Sequence, residues 1–141
     1  MRRSVAGGEI DDDPGRVDVE AVWRYLSEEA YWERWRDRGV VERQVRGAWR
    51  VVGAYDGATG RQVGFARAVS DGESFAYLAD VWVAADWRGN GLGGAIVSVM
   101  IDEGPGARFR WVLHTRDARG LYVRYGFAAA TERVLERPGR G

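Results

Sequence analysis

The chain of 141 residues has no cysteine, no lysine and a single histidine, His114. The first absence removes disulfides, thiolate-held metals and a cysteine nucleophile together. One histidine excludes a histidine-based metal cluster and leaves little room for a serine-histidine triad, so no metal is expected. All 21 cations are arginines, balanced by 21 acids, and no global basic surface points to nucleic acid. A GC-rich genome would account for the missing lysines, as would selection against self-modification of lysine amines; composition does not separate the two. No run approaches the roughly 20 apolar residues that span a bilayer. The start, with Arg2 and Arg3 soon followed by Glu9 and acids at 11–13, lacks a secretory apolar segment. The expectation is a cytoplasmic protein with no membrane partner.

What is present fits one domain, 1–141, with 1–8 and 137–141 expected to fray. Residues 1–17 are polar and read as a frayed start or a short edge strand. Asp18 is a suitable N-cap, and Ala21, Val22, Tyr25 and Leu26 follow at helical spacing, which predicts a helix over about 19–27. Tyr31, Trp32 and Trp35, interleaved with charge, either pack on a sheet or cover an acceptor pocket. A second helix over about 40–46 precedes Gly47. The period then becomes extended: 49–55 and 62–69 flank a turn at 56–60, and 75–83 follows Asp71-Gly72, giving an antiparallel meander.

The centre of interest is 86–96, where Gly89, Gly91, Gly93 and Gly94 sit between the third strand of the meander and an amphipathic helix carrying Leu92, Ala95, Ile96, Val99 and Met100. A helix N-terminus has free N–H donors and partial positive charge, and glycine lets a ligand approach the main chain, so this turn suits a phosphate. Residues 109–114 read as a strand reached by a helical crossover, hence parallel to its predecessor. Thr115 or Asp117 can cap a last short helix ending at Gly126-Phe127, and Val134 with Leu135 suggests a final short strand.

Gly89-x-Gly91-x-x-Gly94, with Asp117 downstream, matches the dinucleotide fingerprint formally. The context opposes it, because that turn belongs after the first strand of a parallel sheet with several strands to come. The missing Gly-Lys-Ser/Thr excludes a nucleoside-triphosphate P-loop. Read as Arg88-x-x-Gly91-x-Gly93, the same residues resemble the pyrophosphate-binding motif of the Gcn5-related N-acetyltransferase (GNAT) family. The run Thr115-x-x-Ala118-x-x-Leu121-Tyr122-x-x-x-Gly126-Phe127 is similar, with identical spacing, to that family's late segment. The clear resemblance covers about 75–127.

The resemblance implies an α/β (α+β) GNAT-type fold, a mixed and mostly antiparallel sheet whose central pair is splayed, and acetyl-CoA as donor. Gly89, Asn90, Gly91, Gly93 and Gly94 would hold the pyrophosphate on backbone N–H groups, with charge added by Arg88 unless it pairs with Asp86 or a surface acid. Main-chain groups around Val81, Trp82 and Val83 would bind the pantetheine, beside Thr115 and Ala118. Thr115 replaces the family's asparagine and alters that contact. Tyr122 stands where many family members carry the general acid, and a phenol protonated at neutral pH suits protonation of a thiolate. Asp80, an acid in an apolar strand, is the first candidate base; it reads equally as a buried acid satisfied by an arginine or a backbone N–H. His114 is the second candidate, also placed with Tyr31 and Trp32 on the acceptor side, and Glu73 is a third. The expected function is acetyl transfer to a primary amine, more naturally a small molecule than a protein, by direct attack in a ternary complex. A non-catalytic acyl-CoA-binding module is the alternative, and a dinucleotide oxidoreductase comes third. A homodimer is left open.

Overall fold

The computed structural model describes residues 1–29, 36–130 and 132–139. Six strands form one sheet in sequence order: β1 (Arg2–Val5), β2 (Gly8–Asp11), β3 (Arg50–Asp56), β4 (Gln62–Ser70), β5 (Phe75–Val83) and β6 (Arg110–Val112). Every neighbouring pair is antiparallel except β5 and β6, which are parallel. The helices are α1 (Val19–Glu28), α2 (Arg38–Arg46), α3 (Leu92–Asp102) and α4 (Arg119–Val123). The meander, the crossover helix and the parallel pair stand where the sequence patterns placed them.

Side chains alternate across the pleat, so a central strand must be apolar on both faces. Val51 and Val52 of β3 accordingly enter opposite cores, as do Phe65 and Ala66 of β4. On one face α3 lays Ile96, Val97, Val99 and Met100, all fully buried, against Val52, Ala66, Ala68 and Leu78. Each such side chain contributes about 1.5–3 kcal/mol through burial. Gly64 is what lets α3 come so close, since a Cβ there would lie 2.6 Å from Cδ1 of Ile96. On the other face α1 and α2 bury Val22, Leu26, Val41 and Val45 over Val51, Phe65 and Trp82.

Asp18 caps α1 as the sequence suggests, accepting from the Ala21 amide, and Asp37 caps α2 in the same way, accepting from that of Val40. The start of the chain does not fray, for β1 and β2 form a hairpin on β3 and the Asp12 amide donates to the Met1 carbonyl. Around Val134 and Leu135 the structure overturns the expectation of a strand: neither is in one, and Leu135 is 93% exposed. An apolar pair alone cannot make a strand without an edge that claims its main chain.

The C-terminal end of α3 carries a device with no sequence motif. Arg50, buried at the start of β3, donates through Nη1 to the carbonyls of Val99 and Met100 at 3.0 and 2.9 Å, and through Nη2 to that of Glu103 at 3.2 Å and to Asp12 Oδ2 at 3.1 Å. One guanidinium thus holds the carbonyls of the helix end, of which that of Val99 also accepts from the Glu103 amide.

Candidate functional site

Pairing of β5 with β6 is confined to Phe75–Arg110, Ala76–Trp111 and Tyr77–Val112. From Leu78 to Val83 no strand covers β5 on that side among the described residues, and the two strands diverge. A cavity of about 710 Å³ opens there, lined by Tyr25, Tyr77, Asp80, Val81, His114 and Tyr122 among others. A second, of about 760 Å³, lies beyond β6 and shares His114, Thr115 and Tyr122 with the first.

At its outer end β5 runs into the glycine turn. Gly89 and Gly91 have φ of +85° and +84°, a left-handed conformation that L side chains rarely adopt, and space is open around each. Gly91 is the N-cap of α3 and brings no capping side chain. The first hydrogen bond of the helix runs from the Ala95 amide to the Gly91 carbonyl. The amides of Leu92, Gly93 and Gly94 therefore have no partner among the described residues, which leaves a set of donors at the positive end of a helix dipole. The four glycines divide by task. Gly94 is buried inside the helix, and a Cβ on it would sit 2.4 Å from the Tyr125 hydroxyl, so its smallness serves packing.

Arg88 turns back toward β5. Its Nε donates to the Val83 carbonyl at 3.1 Å, and its Nη2 reaches Tyr25 Oη and Glu29 at 3.4 Å. Asp86 is held instead by Arg61, at 2.8 and 3.0 Å. One main-chain acceptor expected to be open, that of Val83, is thereby engaged. Trp82 points away from the gap, stacked on Tyr25 with ring centroids 4.9 Å apart.

Asp80 is the one described non-glycine residue with positive φ, at 56°. It lies at a bulge: Phe65 pairs with Trp82 and Arg67 with Ala79, so Asp80 and Val81 together face the single Ala66. A bulge leaves an extra residue outside the ladder and frees main-chain groups beside the gap. The Asp80 carboxylate, 4% exposed, receives Arg36 Nη2 at 2.8 Å and Nη1 at 3.0 Å, and Arg67 Nε at 2.6 Å. Burial alone would raise its pKa, but the hydrogen bond from Arg36 and the charges of both arginines outweigh it and hold the carboxyl below its ordinary value. Of the two expectations for Asp80, the buried acid satisfied by arginine is the one found. Nothing in the sequence pattern singled out Arg36 or Arg67 as its partners.

Tyr122, on α4, is 9% exposed and meets Phe127 edge-on at 5.9 Å. Burial pushes its phenol pKa up. Thr115 Oγ1 accepts from the Ala118 amide at 3.0 Å and so shapes the entry to α4, while Ala118 is packed against the core. Asn90 is exposed at the turn. Tyr31 and Trp32, expected on the acceptor side, lie outside the described residues, as does Trp35. His114 does line the cavity and hydrogen-bonds with the Tyr77 hydroxyl. Among the described residues no group of three ligating side chains could hold a metal, and no helix is long and apolar enough to cross a membrane.

Comparison with known proteins gives the same outline. Residues 47–129 match the family model described as acetyltransferase (GNAT) domain. A crystal structure from Xanthomonas campestris pv. campestris, of a protein assigned to the GNAT family of acetyltransferases, is 34% identical, covers 92% of each chain and superimposes with a TM-score of 0.83. Another, described as an acetyltransferase from Deinococcus radiodurans R1, is 26% identical over 96% of this chain and 92% of its own, at 0.71. Glucosamine-6-phosphate N-acetyltransferase from Arabidopsis thaliana shares the fold at 10% identity, with 92% and 97% covered and a TM-score of 0.59. No curated protein matches the chain.

Proposed function

The chain belongs to the GNAT family of N-acetyltransferases, and from that premise we propose that it transfers acetyl from acetyl-CoA to a primary amine of a small molecule. The observation that carries the donor assignment is the pairing of bare α3 amides with the gap that opens at Leu78 on β5. The amides suit a pyrophosphate, and the uncovered side of β5 suits the amides of a pantetheine arm, which would lie there as an extra strand. When bound, acetyl-CoA supplies the activated thioester.

The residues then divide the work. The main-chain N–H of Val81, beside the bulge, faces the position where negative charge grows on the carbonyl oxygen. Tyr122, whose phenol stays protonated well above neutral pH, gives its proton to the departing sulfur. Asp80 serves as a positioning residue: with both oxygens engaged by arginine it has little basicity left, and it holds the bulge that aims Val81. The acceptor amine enters between Tyr25, Tyr77 and His114. The aromatic character of that side is what favours a small molecule.

A thiol-release assay with acetyl-CoA against amino acids, polyamines and aminoglycosides tests this. Turnover with one class, reduced on the order of 100-fold in Tyr122→Phe with acetyl-CoA binding intact, is the expected result. Tight acetyl-CoA binding without release to any amine would favour a binding module, and full turnover by Tyr122→Phe would remove the acid from Tyr122.

A further inference from the structure

With Asp80 locked by two arginines, deprotonation of the acceptor needs another group. His114 stands at the mouth of the cavity with both ring nitrogens engaged. Nδ1 lies 2.5 Å from the Tyr77 hydroxyl of β5, and Nε2 contacts Glu136 of the C-terminal segment. The tyrosine and imidazole rings are 5.4 Å apart. We propose that Tyr77, His114 and Glu136 form a proton relay that deprotonates the acceptor ammonium, with Tyr77 facing the amine, His114 receiving the proton and Glu136 positioning the imidazole. This rests on the acetyl-transfer reading above.

The chemistry follows from the order of the groups. Glu136 accepts the Nε2–H, which fixes the tautomer and leaves Nδ1 as an acceptor for the Tyr77 hydroxyl. As the ammonium approaches, an N–H bond breaks and a proton passes to the Tyr77 oxygen, while the hydroxyl's own proton moves to Nδ1. The product is a neutral amine and an imidazolium beside the Glu136 carboxylate. The amine attacks the thioester carbonyl carbon, the C–S bond breaks, and Tyr122 protonates the sulfur. The second nitrogen proton, shed as the amide forms, restores the phenol of Tyr122. His114 is 63% exposed and Glu136 57%, so the stored proton has a direct way to water and the relay resets.

Other charged groups stand near the imidazole on every side of the cavity. On the β5 side Asp80 holds Arg36 and Arg67, and on α1 Tyr25 takes a hydrogen bond from Arg88. Arg116, Asp117 and Tyr122 line the same cavity. Beyond β6 stand Arg110, Arg119, Glu132 and Arg133. Among the described residues Glu136 is the carboxylate in contact with His114.

Because His114 is the only histidine, its imidazole 15N resonances report the ring tautomer without assignment. Glu136→Gln removes the carboxylate that accepts the Nε2–H, so those resonances shift, and kcat for the best amine of the panel falls while KM holds. His114→Gln lowers kcat on the order of 100-fold. Tyr77→Phe lowers kcat while the His114 tautomer signal persists. Calorimetry shows acetyl-CoA binding unchanged in all three. Full turnover in His114→Gln, or a tautomer change in Glu136→Gln with kcat unaltered, would overturn the relay while leaving the acetyl-transfer reading intact. A wild type that neither binds acetyl-CoA nor releases thiol would instead defeat that reading.

Discussion

The two ends of α3 are built on opposite plans. At the C-terminal end the Arg50 guanidinium, 6% exposed, donates to three carbonyls and to Asp12. At the N-terminal end two left-handed glycines open the main chain, no side chain caps it, and the amides of Leu92 to Gly94 are left with their donors unused. A helix that needed only to be stable would be capped at both ends, since each cap contributes about 1 kcal/mol. The uncapped end is the one held ready for an anion, and the saturated end anchors the helix so that those amides stay in place. The same contrast recurs in the cavity: Asp80 is saturated by two arginines and holds backbone, whereas the Tyr122 hydroxyl has no hydrogen-bond partner among the described residues and is available to substrate.

The largest effect should come from breaking the saturated end. Arg50→Ala strands the carbonyls of Met100 and Glu103, while Val99 keeps the Glu103 amide and Asp12 the N-terminal ammonium. It is expected to cost about 3–5 kcal/mol in urea unfolding, while the protein that remains folded binds acetyl-CoA with unchanged affinity. Loss of affinity without loss of stability would show the two ends to be mislabelled. Next in size, Asp80→Ala leaves Arg36 and Arg67 buried around a missing anion and should cost about 3 kcal/mol, with acetyl transfer falling as the bulge relaxes. A pH test accompanies it. Asp80 and Asp12 both have folded pKa values below their ordinary ones, Asp12 because hydrogen bonds from the N-terminal ammonium and Arg50 outweigh its burial. Such groups stabilise the fold above the unfolded carboxylate pKa, about 3.9, and that stability is lost as pH falls through the lower folded values. Wild type should therefore lose stability below about pH 4, and Asp80→Asn should flatten that loss. An unchanged acid profile would detach Asp80 from the ion pairs. The smallest change in stability, about 1 kcal/mol, is expected from Gly91→Ala, which asks a Cβ to accept φ of +84°. Its larger consequence should be on donor binding, about tenfold, because the cap geometry aims the amides.

Much of the fold was legible because it rests on local pattern. The β-prone runs 49–55 and 62–69, the Asp56-Gly57 turn and the helical face of Leu92, Ile96, Val99 and Met100 each declare an element without help from the rest of the chain. The glycine turn was legible as well, although its residues carry two meanings that spacing cannot separate: Gly89 and Gly91 supply conformation, and Gly94 supplies room for Tyr125. What stayed hidden depends on partners far away in sequence. Arg50 reads as an ordinary strand residue until a helix end some fifty residues later comes to lie on it. Asp80 could be noticed as an acid among apolar neighbours, yet the arginines that remove its basicity sit on other segments. Glu136 carries no signal of its own, for only the return of the C-terminal segment past β6 sets it against His114. The failed strand at Val134 and Leu135 makes the complementary point, that local propensity proposes and tertiary pairing decides.

The central claim is that the uncapped end of α3 receives the pyrophosphate of the donor. Its most direct test compares acetyl-CoA with S-acetylpantetheine, which keeps the thioester and the arm but lacks the pyrophosphate, by calorimetry and by mapping 15N amide shifts. The account predicts that acetyl-CoA binds on the order of 100-fold tighter, as two or so charge-assisted hydrogen bonds would give, and that it moves the amides of Gly91, Gly93 and Gly94, which S-acetylpantetheine leaves in place. Equal affinities, or binding of acetyl-CoA with those amides unmoved, would contradict it.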